Sequence, residues 1–302
     1  MSGRVAQIGA RIEGMRQLGA VVNAMRGIAA ARAQQARSQL TAVETYAATI
    51  AGAIGCVLSL APASPASPPT RPARLALVVF CAEQGFAGAY SERVLDGVGP
   101  DLSKATLFLV GARGVALAAE RGLAMAWSGS LPSHSPGIPR LADAIAQALY
   151  AVIAAGEIDR LDVVFTQRPP GQGSSLQRVA LFPFDVARFP APKGTGAPLV
   201  NLPPQILITA LTADYLYAEL CSAALHAFAA ENETRMETMA AARDQVGREL
   251  ATLQARQRLV RQEEITAEVI ELAAGEEATR PLGGGSPVNL ADTSVSAVAP
   301  IA

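Results

Sequence analysis

The 302-residue chain carries 25 Lys and Arg against 26 Asp and Glu, a formal charge of −1 that offers no field to draw it onto nucleic acid. Half of its residues are hydrophobic but only 5% are aromatic, so alanine-rich, closely paired helices are favoured over a thick core. Cys56, Cys81 and Cys221 are far apart, and His134 and His226 stand alone, so no disulfide framework, metal spacing or histidine triad is visible and a reduced compartment fits best.

The N-terminus has no apolar h-region, which argues against secretion. The chain opens with a long helix over residues 1–60. Its seam, at alternating spacings of four and three, reads Ile8, Ile12, Met15, Gly19, Val22, Arg26, Ala29, Ala33, Ala36, Leu40, Val43, Ala47, Ile50, Ile54 and Val57. Gly9, Gly14, Gly19 and Gly27 each cost such a helix about 1 kcal/mol relative to alanine, so a partner is expected to pack closely against them. Thr45 to Ala63 is uncharged and approaches membrane-span length, but its Ala, Gly, Ser and Thr content reads as a buried helix end.

Residues 61–73, APASPASPPTRPA, cannot continue a helix and mark a boundary. Residues 74–184 read as an α/β domain. Strands buried on both faces are expected at Leu75–Phe80, Ala105–Val110 and Leu161–Thr166, with helices at Ser91–Val98 and Pro139–Ala155. RPPGQG at 168–173 predicts a turn, returning as an antiparallel strand over Ser175–Phe182. A Pro- and Gly-rich link, 185–204, leads into a second long helix over 205–274, and a flexible tail is expected from 275 to 302.

In that last helix the heptad positions are Met236, Met239, Arg243, Val246, Leu250, Leu253, Gln257 and Val260, then with a slip of one Ile265, Val269 and Leu272. A helix of this length, on the order of 100 Å at 1.5 Å per residue, is expected to project from the body and find a partner. The first helix is basic through Arg4, Arg11, Arg16, Arg26, Arg32 and Arg37. The last is acidic on balance, so the two either pair electrostatically or present ordinary solvated faces.

No catalytic constellation emerges. CAEQGFAGAYS after the first strand has Gly85 and Gly88 at the wrong spacing for a dinucleotide loop, and no acidic residue stands where a ribose would need one. These glycines, like Gly111 and Gly114 after the second strand, read as tight strand-to-helix turns. No phosphate loop, HExxH or GxSxG is present.

Four stretches nevertheless carry a resemblance. Ala24, Met25, Ile28, Ala29, Ala30 and Arg32 are similar to an A-M-x-x-V-A-A-x-K stretch, and Glu83 to Gly88 to a D-R-G-L-C-G turn. Glu231, Asn232, Thr234, Arg235, Met236 and Met239 match E-N-x-x-R-M-x-x-M. Arg261, Gln262, Ile265, Thr266, Glu268, Glu271, Leu272 and Gly275 match R-Q-x-x-I-T-x-E-x-x-E-I-x-x-G. In order and spacing these resemble the γ-subunit family of the rotary F-type ATP synthase, over residues 1–275. Gln84 stands where the family has a basic residue, Ser91 where it has asparagine and Arg258 where asparagine is common.

The resemblance implies a long antiparallel coiled coil of N- and C-terminal helices with an inserted Rossmann-like α/β domain, and a non-catalytic shaft without cofactor or metal. Its implied partners are the α and β subunits of a catalytic hexamer, an ε subunit and a membrane ring of c subunits, with no nucleic acid and no membrane span. It implies a place on the cytoplasmic face of the bacterial inner membrane. Met25, Arg26, Arg32 and Glu268 are the residues it assigns to hexamer contact, Arg235, Gln262 and Thr266 to contact with the hexamer or between the helices, and Gly85 and Gly88 to a structural turn. A static coiled-coil scaffold with an α/β interaction domain uses the same elements, and an enzyme would need a ligand pocket in the α/β domain.

Overall fold

Apolar runs dense in Val, Leu and Phe form strands whose both faces are covered. In the computed structural model, which describes residues 2–60, 74–169, 171, 173–190 and 199–279, β1 is Leu75–Phe80, β2 Thr106–Val110, β3 Trp127–Gly129, β4 Arg160–Gln167 and β5 Ser175–Phe182. The sheet order is β3-β2-β1-β4-β5, parallel except for the antiparallel β4–β5 pair. The helices are α1 (Ser2–Leu58), α2 (Tyr90–Val98), α3 (Ala112–Glu120), α4 (Ile138–Ala154) and α5 (Pro204–Thr279).

By packing, the chain divides into two units, Met15–Arg248 and the described parts of Met1–Gly14 with Glu249–Ala302. In the larger unit the two faces of the sheet bury different helices. Val78, Phe80, Phe108, Val163 and Phe165 pack with Leu141, Ile145 and Leu149 of α4 and with Leu216, Leu220, Ala224 and Phe228 of α5, joined by Ala36 of α1. Leu77, Val79, Leu107 and Leu109 pack with Tyr90, Val94 and Leu95 of α2 and Ala118 of α3. The side chains of β1 alternate between these two cores, as the period of a strand requires.

β5 is fastened to β4 by charge as well as by its ladder. Asp162 is fully buried and accepts hydrogen bonds from Arg160 Nε at 2.8 Å and Arg178 Nε at 2.7 Å, and Arg178 Nη1 reaches Asp101 Oδ2 at 2.7 Å. These bonds supply donors to a carboxylate that burial would otherwise strand.

The small-residue seam of α1 is where helices meet. Ala29, Ala33 and Ala36 are 1%, 4% and 0% exposed, and a Cβ placed on Gly19 would lie 3.3 Å from Val246 Cγ1 of α5. Within the smaller unit, a Cβ on Gly9 would lie 3.5 Å from Gln257 Nε2. Gly14 and Gly27, expected to meet a partner as well, have nothing within 4 Å of such an atom. They lie off the seam, so their glycine is not required by packing.

The seam of α5 also departs from expectation beyond Val260. Ile265, Val269 and Leu272 are 54%, 59% and 74% exposed, and the half-buried positions are Glu264 and Ala267. The three-four rhythm continues without a slip, since the backbone keeps its register whatever the hydropathy of the side chains. Two further elements were not expected. α3 follows Gly111, whose φ of 103° lets the backbone turn directly from β2 into a helix, and β3 is three residues long.

By length and composition alone, α1 and α5 each contain an apolar window long enough to cross a membrane. In α1 the last turns are packed instead: Ala51 and Ile54 bury against Phe189 and Tyr215. The proline-rich stretch 61–73 and residues 280–302 lie outside the described residues, whereas 275–279, where the tail was expected to begin, continue α5.

Candidate functional site

The turn after β1 and the middle of α5 are joined by a run of buried charge. α5 is alanine-rich where it crosses the body, yet Glu231, Asn232, Glu233, Thr234 and Arg235 are successive and all buried. Five polar residues in a packed helix require partners: Glu231 and Arg235 find hydrogen bonds, and Glu233 has ion-pair partners alone.

Glu231 accepts hydrogen bonds from the backbone N–H of Glu83 at 3.2 Å and of Gln84 at 3.1 Å. Arg235, one helical turn on, donates Nε to the carbonyl of Gly85 at 3.1 Å and Nη2 to the carbonyl of Gln84 at 3.3 Å. Its Nη1 bonds Asn232 Oδ1 at 3.0 Å, and its Nη2 also meets the Glu231 carboxylate. The acid thus takes the donors of the turn and the base takes its acceptors. Glu83 extends the network in the other direction, accepting from the N–H groups of Ala112 at 3.0 Å and Leu131 at 2.8 Å.

The turn held in this way has an uncommon backbone. Phe86 has φ 62° and Gly88 φ 54°, both left-handed, and Phe86 is 63% exposed. Gly88 suits that conformation; Phe86 is strained in it and follows directly on residues 83–85, which the clamp fixes. Gly85, expected with Gly88 in a structural turn, lies in it without a left-handed φ and contributes its carbonyl. The groups beneath the turn are neutral: burial pushes the Cys81 thiol up to about 12 and raises the Tyr90 phenol as well. The Tyr90 hydroxyl donates to the carbonyl of Ala227 at 3.3 Å, a second tie between the domain and α5.

On the other side of α5, Glu233 meets Arg37 of α1 at 2.5 Å and Arg168 of the β4–β5 turn at 3.6 Å, while Arg168 also pairs with Glu237. Burial raises the Glu233 pKa; the two arginines oppose this without cancelling it. Beside this cluster, His226 stacks on Phe165 with ring centroids 5.4 Å apart and lies 3.4 Å from Glu44, and burial lowers its pKa. One carboxylate therefore links the first helix, the hairpin and the last helix.

Of the residues assigned to partner contact, the structure brings Arg32 and Arg235 to the turn: Arg32 Nη1 lies 3.5 Å from Gln84 Oε1. Arg235 points into the chain's own turn and is 5% exposed. Met25 and Arg26 are half-buried on α1. Gln262, Thr266 and Glu268 are exposed in the smaller unit, where the Thr266 hydroxyl donates to the carbonyl of Gln262 at 2.8 Å. Sequence reading missed Glu233, Arg37, Arg168 and Asp162 as site-forming residues and quoted Glu231 only within a motif. The available signal was the charge itself: E-N-E-T-R interrupts an alanine-rich run with an acid and a base at i, i+4. Among the described residues, no group of three or more His, Cys, Asp or Glu side chains converges as a metal site would need.

Comparison with known proteins bears on these features. The family model described as ATP synthase matches residues 4–279. The ATP synthase gamma chain of Streptomyces griseus is 28% identical over 294 residues, covering 91% of this chain and 96% of that protein. The gamma chain of Clavibacter michiganensis is 24% identical, covering 85% and 92%. Among solved structures, a chain of the Euglena gracilis mitochondrial ATP synthase (OSCP/F1/c-ring) superposes with a TM-score of 0.63 at 13% identity, covering 95% of this chain and 100% of that one. A chain of the Tetrahymena thermophila mitochondrial ATP synthase central stalk and c-ring gives 0.54 at 15% identity, covering 74% and 99%. These last two likenesses speak for the fold. With the model spanning nearly the whole described chain, the protein belongs to the ATP synthase family, and the relatives it is similar to are gamma chains.

Proposed function

We propose that this chain is the torque-transmitting shaft of a rotary, ion-translocating synthase and carries no catalytic group of its own. Its α1–α5 pair turns inside a hexamer of α and β subunits, and its α/β domain meets an ε subunit and a ring of c subunits. The complex sits on the cytoplasmic face of a bacterial inner membrane. The observation that carries this reading is the clamp: Glu231 and Arg235 of α5 grip both the donors and the acceptors of the turn after β1. A part that passes rotation from a foot to a rod needs a stiff joint between them, and buried paired charge supplies one.

Met25, Arg26 and Arg32 on α1, with Gln262, Thr266 and Glu268 near the end of α5, are the surfaces offered to the hexamer. Arg235 acts through the turn that it holds, presenting Phe86. Successive faces of an asymmetric rod bias each nucleotide site between binding and release, which is a population shift imposed by contact.

The test is co-expression with the α and β subunits from the same source and measurement of native mass. One copy of this chain with three of each partner, together with ion-coupled ATP synthesis by the membrane-bound complex, is the expected result. A chain that folds but binds neither subunit would leave a static scaffold as the better account.

A further inference from the structure

An open parallel α/β sheet receives its ligand outside the carboxyl ends of the strands, at the point where successive connections leave to opposite sides. The order β3-β2-β1-β4-β5 puts that point at the end of β1, where the turn of residues 82–88 begins. Four backbone donors around this mouth are occupied, each by a carboxylate of the chain itself. Glu231 takes the amides of Glu83 and Gln84, and Glu83 takes those of Ala112, at the start of α3, and Leu131. Adjacent amides backed by a buried guanidinium are the donor set that proteins use for an oxyanion.

We propose that the amides of Glu83 and Gln84, together with the Arg235 guanidinium, are an oxyanion-binding site, that Glu231 is its built-in ligand, and that removing this side chain opens the site to a small free carboxylate. The mouth that open α/β sheets of this kind use for ligands is here a socket for the neighbouring helix. Arg235, the charged donor, is 5% exposed and is held by its bonds to the carbonyls of Gln84 and Gly85 and to Asn232, which do not involve Glu231. Glu231 reaches the two amides from α5, about 150 residues away in sequence. The proposal stands on contacts within this chain and is independent of whether the chain rotates.

The experiment uses the full-length chain with the substitution Glu231→Ala and follows thermal unfolding in sodium formate against sodium chloride at equal ionic strength. E231A is expected to melt several degrees below the wild type, and formate, not chloride, to restore part of the loss with a saturable concentration dependence. The wild type and the double variant E231A/R235A should show no formate-specific rise. An E231A protein indifferent to formate, or an equal rise in the double variant, would overturn the proposal. So would a saturable rise of the wild type in inorganic phosphate, since the site would then be open with Glu231 in place. If E231A does not fold in chloride, its refolded yield replaces the melting point: recovery in formate supports the site, and no recovery overturns it.

Discussion

Arg235 and Glu233 differ in how they are compensated, and this sets what each loses when altered. Arg235 has four hydrogen-bonding partners within one turn of helix and one turn of loop. Arg235→Ala leaves Glu231 buried without its base and the carbonyls of Gln84 and Gly85 without donors, a loss of about 3–5 kcal/mol measurable as a shift of the denaturant midpoint. Arg235→Lys should recover only part of this, because an ammonium cannot serve the separate directions that the fork covers. His226 behaves oppositely with pH. Burial lowers its folded pKa below the unfolded value, so the neutral ring is the stable form. Its contribution is fully present above the unfolded pKa of about 6.5 and is lost as pH falls below it. Glu44 opposes the shift, and Arg37, Arg168 and Glu233 line the same cavity. Thermal unfolding of wild type and His226→Gln between pH 8 and pH 5 should show the wild type losing stability relative to the variant on acidification. A constant difference between them would remove His226 from the pH response.

At the scale of elements, glycines separate packing from propensity. Gly19 and Gly27 lie on the same helix, but a side chain at Gly19 meets Val246 and one at Gly27 meets nothing. Gly27→Ala should therefore stabilise by up to about 1 kcal/mol through helix propensity, while Gly19→Leu should destabilise by about 1–3 kcal/mol through overpacking. Paired denaturation curves check the opposite signs. Gly55→Ala is expected to be worse than either, since its Cβ would lie 2.0 Å from the Pro190 carbonyl oxygen. The same physics explains what was legible in sequence. β1 and β5 have the expected bounds because an apolar run and a turn-flanked return are local signals. The first-helix seam was legible because small residues recur where backbones approach. α3 was hidden because Gly111 and Gly114 look like a loop, although Gly114 sits in the helix against Cys81. The clamp was hidden because hydrogen bonds between residues 83–85 and 231–235 are long-range. The slip at Ile265 was misread because periodicity registers which residues are apolar, not which face has a partner.

For the whole molecule, that misreading is informative. Ile265, Val269, Ile270 and Leu272 are all more than half exposed on one end of α5. Within the shaft reading, these side chains are the surface that turns against the walls of the hexamer, and apolar contact without interlocking is what a rotating fit requires. The substitutions V269S and L272S should then leave the unfolding midpoint of the isolated chain unchanged within about 0.5 kcal/mol, as exposed positions do. Assembled with its partners, the same variant should bind more weakly to the hexamer and lower ATP synthesis relative to hydrolysis. Stability and coupling are read on one variant, so the two roles separate. A loss of stability without loss of coupling would return these residues to the folding of α5. Unchanged values of both would leave this end of the helix outside the bearing, and the contact surface would then have to lie nearer Met25, Arg26 and Arg32.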